Sequence, residues 1–174
     1  FASTACVPCS PGFYSGGTAS SCTAASPGFV VATSSSSSQT GCLAGTFSQG
    51  NASTVCPQCA PGFYSGARAT ACTAALPGFF VSSAGAPGPA PCLAGSFAAG
   101  RANTVCSTCL PGFYSSSAAP SCTAAAPGFV VRSAGSPAPL QCLAGEYSSG
   151  NASQKCTPCE VQSAFMPLCS HTQH

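Results

Sequence analysis

Charge is nearly missing from this chain. Of 174 residues, four are Lys or Arg and two are Asp or Glu, for a formal net charge of +2. They are Arg68, Arg101, Arg132, Lys155, Glu146 and Glu160; Asp does not occur. A nucleic-acid partner is excluded, because counterion-driven binding needs a run of cations. Calcium modules built on several carboxylate oxygens are excluded for want of carboxylates. Trp and Ile are also absent, and Leu, Val and Phe together supply 27 residues. So little strong apolar material would suit a disordered chain, yet nothing in the charge balance drives the chain open. No apolar run approaches the ~18–20 residues of a membrane helix, so no membrane insertion is expected. No sustained i, i+3, i+4 pattern appears, and Gly or Pro interrupts every few residues. The start carries no Met and no leader-like apolar core, which reads as a removed leader or as a fragment.

Cysteine is what the chain has instead, at 15 residues. The 45% hydrophobic content is mostly Ala and Cys, each of which buries little area. A core that thin needs covalent staples. Cysteine at this density suits an oxidising, extracellular or cell-surface setting.

The cysteines fall at 6, 9, 22 and 42, then at 56, 59, 72 and 92, then at 106, 109, 122 and 142. The period is 50 without drift. A last copy gives 156 and 159, then 169 where 172 would be in register. Residues 6–55, 56–105 and 106–155 therefore read as three repeats. Residues 1–5 read as the tail of a truncated preceding repeat, and 156–174 as a partial repeat or C-terminal cap. Inside each repeat a glycine leads an aromatic three times, as in Gly12-Phe13, Gly28-Phe29 and Gly45 with Phe47. Each repeat thus holds three turn-plus-aromatic subunits of about 16 residues. Pro fixes φ and Gly permits positive φ, so Pro-Gly marks a tight turn. The fold class expected is a small disulfide-rich repeat protein, an elongated rod of turns and very short strands with essentially no helix. The stretches 32–41, 82–91 and 132–141 before the fourth cysteine are Ser-, Ala- and Pro-rich and without pattern. They read as exposed loops.

Two pairings of the cysteines remain open. In the first, each Gly-aromatic loop is closed by its flanking cysteines: Cys9–Cys22, Cys42–Cys56, Cys59–Cys72, Cys92–Cys106, Cys109–Cys122, Cys142–Cys156 and Cys159–Cys169. Each such staple is worth roughly 3 kcal/mol in the loop-entropy model. It leaves Cys6 over, with a partner expected from an upstream segment or a neighbouring subunit. The second joins Cys6 to Cys22 and Cys9 to Cys42, repeated downstream, and leaves Cys159 over.

The motifs Cys9-Ser10-Pro11-Gly12-Phe13-Tyr14 and Cys42-Leu43-Ala44-Gly45-Thr46-Phe47, with CxxC between loops, resemble the ephrin-receptor-like and tumour-necrosis-factor-receptor-like cysteine-rich repeats. The likeness runs to about Cys159. It implies an elongated extracellular module of receptors, adhesion proteins and coats. The Ala/Ser/Pro/Gly bias resembles secreted wall and flagellar-hair (mastigoneme) glycoproteins of green algae.

Candidate sites are few. The CxxC pairs at Cys6, Cys56, Cys106 and Cys156 recur at 50 residues, whereas zinc pairs come about 12–20 residues apart. A thioredoxin-type centre would need a βαβ frame. Nucleophilic catalysis needs a base and its orienting carboxylate, and the histidines are only His171 and His174, read as solvated tail. No catalytic residue, metal site or cofactor is expected, and the chain is not read as an enzyme. Asn51-Ala52-Ser53 and Asn151-Ala152-Ser153 are N-glycosylation sequons, so covalent glycans are expected. Ser34, Ser35, Ser36, Ser37 and Ser38 are candidate O-glycosylation positions, as are Pro87, Pro89, Pro91, Pro137 and Pro139. Phe165, Met166 and Leu168 form the tail's apolar cluster and a candidate interface. The function read from this is a glycosylated structural block of an extracellular fibre, coat or flagellar hair, associating with itself or with other extracellular structural proteins. The alternative is the stalk or ligand-binding module of a cell-surface receptor or adhesin.

Overall fold

In the computed structural model the described residues are 7–160. Among them no helix forms. Regular structure consists of sixteen strands of two residues each, joined by turns. This follows from the glycine and proline spacing, which interrupts the chain every few residues and keeps each strand short.

The strands pair in sequence order as eight two-stranded ladders. In the first repeat, β1 (Phe13–Tyr14) pairs β2 (Thr23–Ala24), and β3 (Phe29–Val30) pairs β4 (Thr40–Gly41). In the second, β5 (Phe63–Tyr64) pairs β6 (Thr73–Ala74), β7 (Phe79–Phe80) pairs β8 (Ala90–Pro91), and β9 (Ser96–Phe97) pairs β10 (Ser107–Thr108). The third has β11 (Phe113–Tyr114) with β12 (Thr123–Ala124) and β13 (Phe129–Val130) with β14 (Leu140–Gln141). Its last ladder joins β15 (Glu146–Tyr147) to β16 (Thr157–Pro158). Where a ninth ladder would complete the first repeat, an antiparallel bridge joins Thr46 to Gln58.

The register is the same in all three kinds of turn. Phe13 faces Ala24 and Tyr14 faces Thr23 in the first turn of a repeat. Phe29 faces Gly41 and Val30 faces Thr40 in the second. Ser96 faces Thr108 and Phe97 faces Ser107 in the third. In each, the first strand begins four residues after the position that opens the turn, and the second strand begins one residue after the position that closes it. Cysteines hold both positions in first and third turns. In second turns Ala25, Ala75 and Ala125 open, and Gln39, Pro89 and Pro139 close.

Most residues of 32–41, 82–91 and 132–141 are exposed as expected, but the reading of these stretches as patternless loops is corrected. They contain β4, β8 and β14 and complete a turn of the same build as its neighbours. Ser36, Pro89 and Pro139 within them are half-buried. Their pattern was hidden because backbone hydrogen bonds, which any residue can make, carry it.

Two compact units divide the described residues: 7–75 with 81–90 and 101–104, and 76–80 with 91–100 and 105–160. In the first, the turn glycines donate to the following turn: Gly12 N–H to Val31 O, Gly28 to Ser48 O and Gly45 to Ser65 O, each at 2.8 Å. A second tie returns, with Ser35 N–H to Cys9 O at 2.9 Å and Ala52 N–H to Ala25 O at 2.8 Å. In the second unit the same pattern gives Gly95 to Ser115 O at 2.9 Å, Gly112 to Val131 O at 2.8 Å and Gly135 N–H to Cys109 O at 2.9 Å.

Nine turn glycines, at 12, 28, 45, 62, 78, 95, 112, 128 and 145, have φ between 82° and 89°. The reason is clearest at Gly45 and Gly95. A Cβ there would overlap the carbonyl oxygens of Gly85 and Gly135 respectively, two turns on in the chain. Only glycine combines this φ with so close an approach of two backbones.

The core is correspondingly small. Its apolar members are Cys9, Cys42, Cys59, Cys92 and Cys109, the three opening alanines, Val31, Val81, Val130, Val131, Ala98 and Ala119. The turn phenylalanines lie half-buried on the ladders.

Candidate functional surface

Six disulfides form with both cysteines among the described residues: Cys9–Cys22, Cys42–Cys56, Cys59–Cys72, Cys92–Cys106, Cys109–Cys122 and Cys142–Cys156. The CxxC pairs at Cys56 and Cys106 are thereby split between adjacent turns, as Cys56 closes one and Cys59 opens the next. The pairing Cys9–Cys42 is not formed. Cysteine sulfurs consumed this way offer neither a metal ligand nor a thiolate nucleophile. Among the described residues no group of three or more His, Cys, Asp or Glu could hold a metal ion. Cys159 is also disulfide-bonded. Its expected partner Cys169, together with Cys6, Phe165, Met166, Leu168, His171 and His174, lies outside the described residues.

The turns differ in what fills the buried position two residues after the first strand begins. First and third turns mostly place serine there: Ser48, Ser65, Ser115 and Ser148 are all buried. Three of the four hydroxyls donate to the preceding turn. Ser65 Oγ donates to Thr46 O and Ser115 Oγ to Ser96 O, each at 2.9 Å, and Ser148 Oγ to Phe129 O at 3.0 Å. Second turns place valine: Val31, Val81 and Val131 are at most 3% exposed. The opening alanines beside the missing staples are 0% exposed. In the first repeat the closing Gln39 adds a polar tie, its Oε1 accepting from the Ser26 N–H at 2.7 Å. Second turns thus replace a cystine with a buried Val, a buried Ala and, once, a side-chain hydrogen bond.

The sequons sit on exposed turns at matching places in the first and third repeats. Asn51 and Asn151 are exposed, and each precedes an alanine with positive φ, Ala52 at 55° and Ala152 at 58°. Ser53 Oγ donates to Gly50 O at 3.0 Å and Ser153 Oγ to Gly150 O at 2.8 Å, closing the turn behind each asparagine. In the second repeat Arg101 occupies the asparagine place and Asn103 the serine place. Of the serine run, Ser34, Ser35, Ser37 and Ser38 are exposed, whereas Ser36 Oγ donates to Thr33 O at 2.8 Å and its backbone bridges Tyr14. Pro87, Pro91 and Pro137 are exposed.

Sequence reasoning missed one surface feature. Leu43, Leu93 and Leu143, which follow the cysteine opening each third turn, are 74–78% exposed. Leu110, Val55 and Val105 are also exposed. The recurring Cys-Leu-Ala-Gly held the signal, but leucine in a chain so poor in apolar residues is first taken for core. The Arg68 guanidinium lies 5.5 Å from the Phe29 ring centroid.

No family model matches this chain, and a search of curated proteins finds no relative. What stands is coarser than a family. The chain is a disulfide-stapled cysteine-rich repeat protein of the kind used as extracellular structural or binding modules. Its staples suit an oxidising compartment. No helix among the described residues is long and apolar enough to cross a membrane.

Proposed function

We propose that this chain is a structural block of an extracellular fibre, coat or surface appendage, and that it performs no catalysis. The observation that carries this reading is the sameness of the nine turns among the described residues. The first eight are each tied to the next by the same backbone hydrogen bonds, so residue identity serves to keep one geometry. Such repetition extends by adding copies. Two further features favour assembly. Near-zero charge lets like surfaces approach without repulsion, and the exposed leucines recur with the repeat. N-glycans on Asn51 and Asn151, both exposed, would supply the solubility that charge does not.

The test is assembly of the glycosylated protein. Electron microscopy should show fibres or sheets that thin out when Leu43, Leu93 and Leu143 are replaced together by Ser. A stable monomer at high concentration would instead favour the stalk of a receptor or adhesin. Glycan occupancy is checked by electrophoresis, where Asn51→Gln and Asn151→Gln should each increase mobility and the double change more so.

A further inference from the structure

We infer that the second turn of every repeat is an extensible link: under tension it opens while its stapled neighbours stay shut. The inference rests on the reading of the chain as a load-bearing block and adds to it a response to load.

The argument is one of covalent connectivity. A disulfide carries tension across its loop, so the 13 or 14 residues it spans cannot be drawn out while it holds. The staples Cys9–Cys22, Cys42–Cys56 and Cys59–Cys72 lock first and third turns in this way. Between Cys22 and Cys42 lie twenty residue steps with no cross-link, and the same interval recurs at 72–92 and 122–142. Between Cys9 and Cys156 the only other uncrossed intervals are the three-residue steps Cys56–Cys59 and Cys106–Cys109.

What holds a second turn shut is therefore non-covalent. It comprises a two-residue ladder, a buried alanine, one buried valine (two in the third repeat), the Gln39 bond in the first repeat, and backbone ties to its neighbours, such as Gly12 N–H to Val31 O and Ser35 N–H to Cys9 O. These bonds are short-range and reform when the chain relaxes. The flanking staples keep both neighbouring turns in register as the template for closure. A fully drawn 20-residue interval spans at most about 70 Å at ~3.4 Å per residue. Each repeat thus has one stretch that lengthens and two that do not.

The test is single-molecule stretching of the whole chain held by its two ends. Under oxidising conditions three releases are expected, each shorter than about 70 Å, with recovery on relaxation. Adding a reductant should lengthen the total extension by about 45 Å for every staple opened. The double change Ala125→Cys with Pro139→Cys places cysteines where the neighbouring turns carry theirs. Once mass spectrometry shows that bond closed, the trace should lose one of its three releases. The inference is overturned if the oxidised chain gives no release before the tether breaks, or if the stapled variant still gives three. A measurement on the unaltered protein guards against variants that do not fold. Amides of second turns should exchange with solvent at least ten-fold faster than those of flanking stapled turns, and equal rates would overturn the inference as well. Whether the chain assembles into fibres is decided separately by microscopy, so a rigid chain that assembles and an extensible chain that does not are distinct results.

Discussion

Stapled and unstapled turns of this protein share a register, a turn glycine and a set of backbone hydrogen bonds, yet they are built from different residues. The turn closed by Cys109–Cys122 buries Ser115 and relies on a covalent bond. The next turn, from Ala125 to Pro139, buries Val131 and relies on apolar contact. One backbone geometry therefore has two solutions at its interior. A disulfide of this loop size contributes roughly 3 kcal/mol, mostly by restricting the unfolded chain. A fully buried valine contributes about 1.5–3 kcal/mol through area removed from water. The two are comparable in equilibrium stability and differ in kind, because only the first survives when the turn is pulled or locally opened.

The largest effect should come from what both kinds of turn share. Gly95→Ala forces a Cβ into the Gly135 carbonyl at a φ of 86°, and Gly28→Ala does the same against Arg68. Each should cost upwards of about 3 kcal/mol in denaturant unfolding with disulfides intact. If Gly28→Ala proves mild while Gly95→Ala does not, the second turn is looser than its geometry suggests.

Next in size is conversion of one kind into the other. Cys109→Ala with Cys122→Pro copies the ends of a second turn and should lose about 3 kcal/mol. Adding Ser115→Val should restore about 1 kcal/mol, since the valine gains apolar burial but forfeits the Ser115 hydroxyl bond to Ser96 O. Failure of valine to restore anything would mean that the residue at this buried position does not compensate for the staple. The reverse probe, Val131→Ala, removes the compensation from an unstapled turn and should cost about 2 kcal/mol, read in the same unfolding assay.

Much of this architecture was legible beforehand, for uneven reasons. The period of 50 and the threefold Gly-aromatic beat are written in residues that have few substitutes, namely cysteine, glycine and phenylalanine. Short ladders and the absence of helix followed from them. Loop spacing favoured the pairing that forms, without deciding it. Residues 32–41, 82–91 and 132–141 were taken for loops because Gln39 and the prolines at 89 and 139 look nothing like cysteine, although they occupy its place. The substitution of Ser by Val at one buried position was also invisible, since neither residue announces its slot until the register is known. The exposed leucines were hidden by the opposite error, an expectation that scarce apolar residues go inside. The sequons were legible as motifs, and their place on exposed turns needed the fold.

The smallest effect singles out the first repeat. Gln39 is the one closing residue of a second turn that makes a side-chain bond across it, to the Ser26 N–H at 2.7 Å, where the other repeats close with Pro89 and Pro139. A neutral, exposed bond of this type contributes about 1 kcal/mol. Proline contributes a similar ~0.4–1 kcal/mol by limiting the unfolded chain, provided the native φ suits it. The two devices act on opposite states: glutamine holds the folded turn and proline restricts the open one. Gln39→Ala should therefore speed exchange of the Ser26 amide several-fold and cost about 1 kcal/mol locally. Gln39→Pro should still free that amide but return most of the stability. If both changes leave the Ser26 amide equally slow, the glutamine contact contributes nothing and the first repeat's second turn is held by Val31 and its ladder alone.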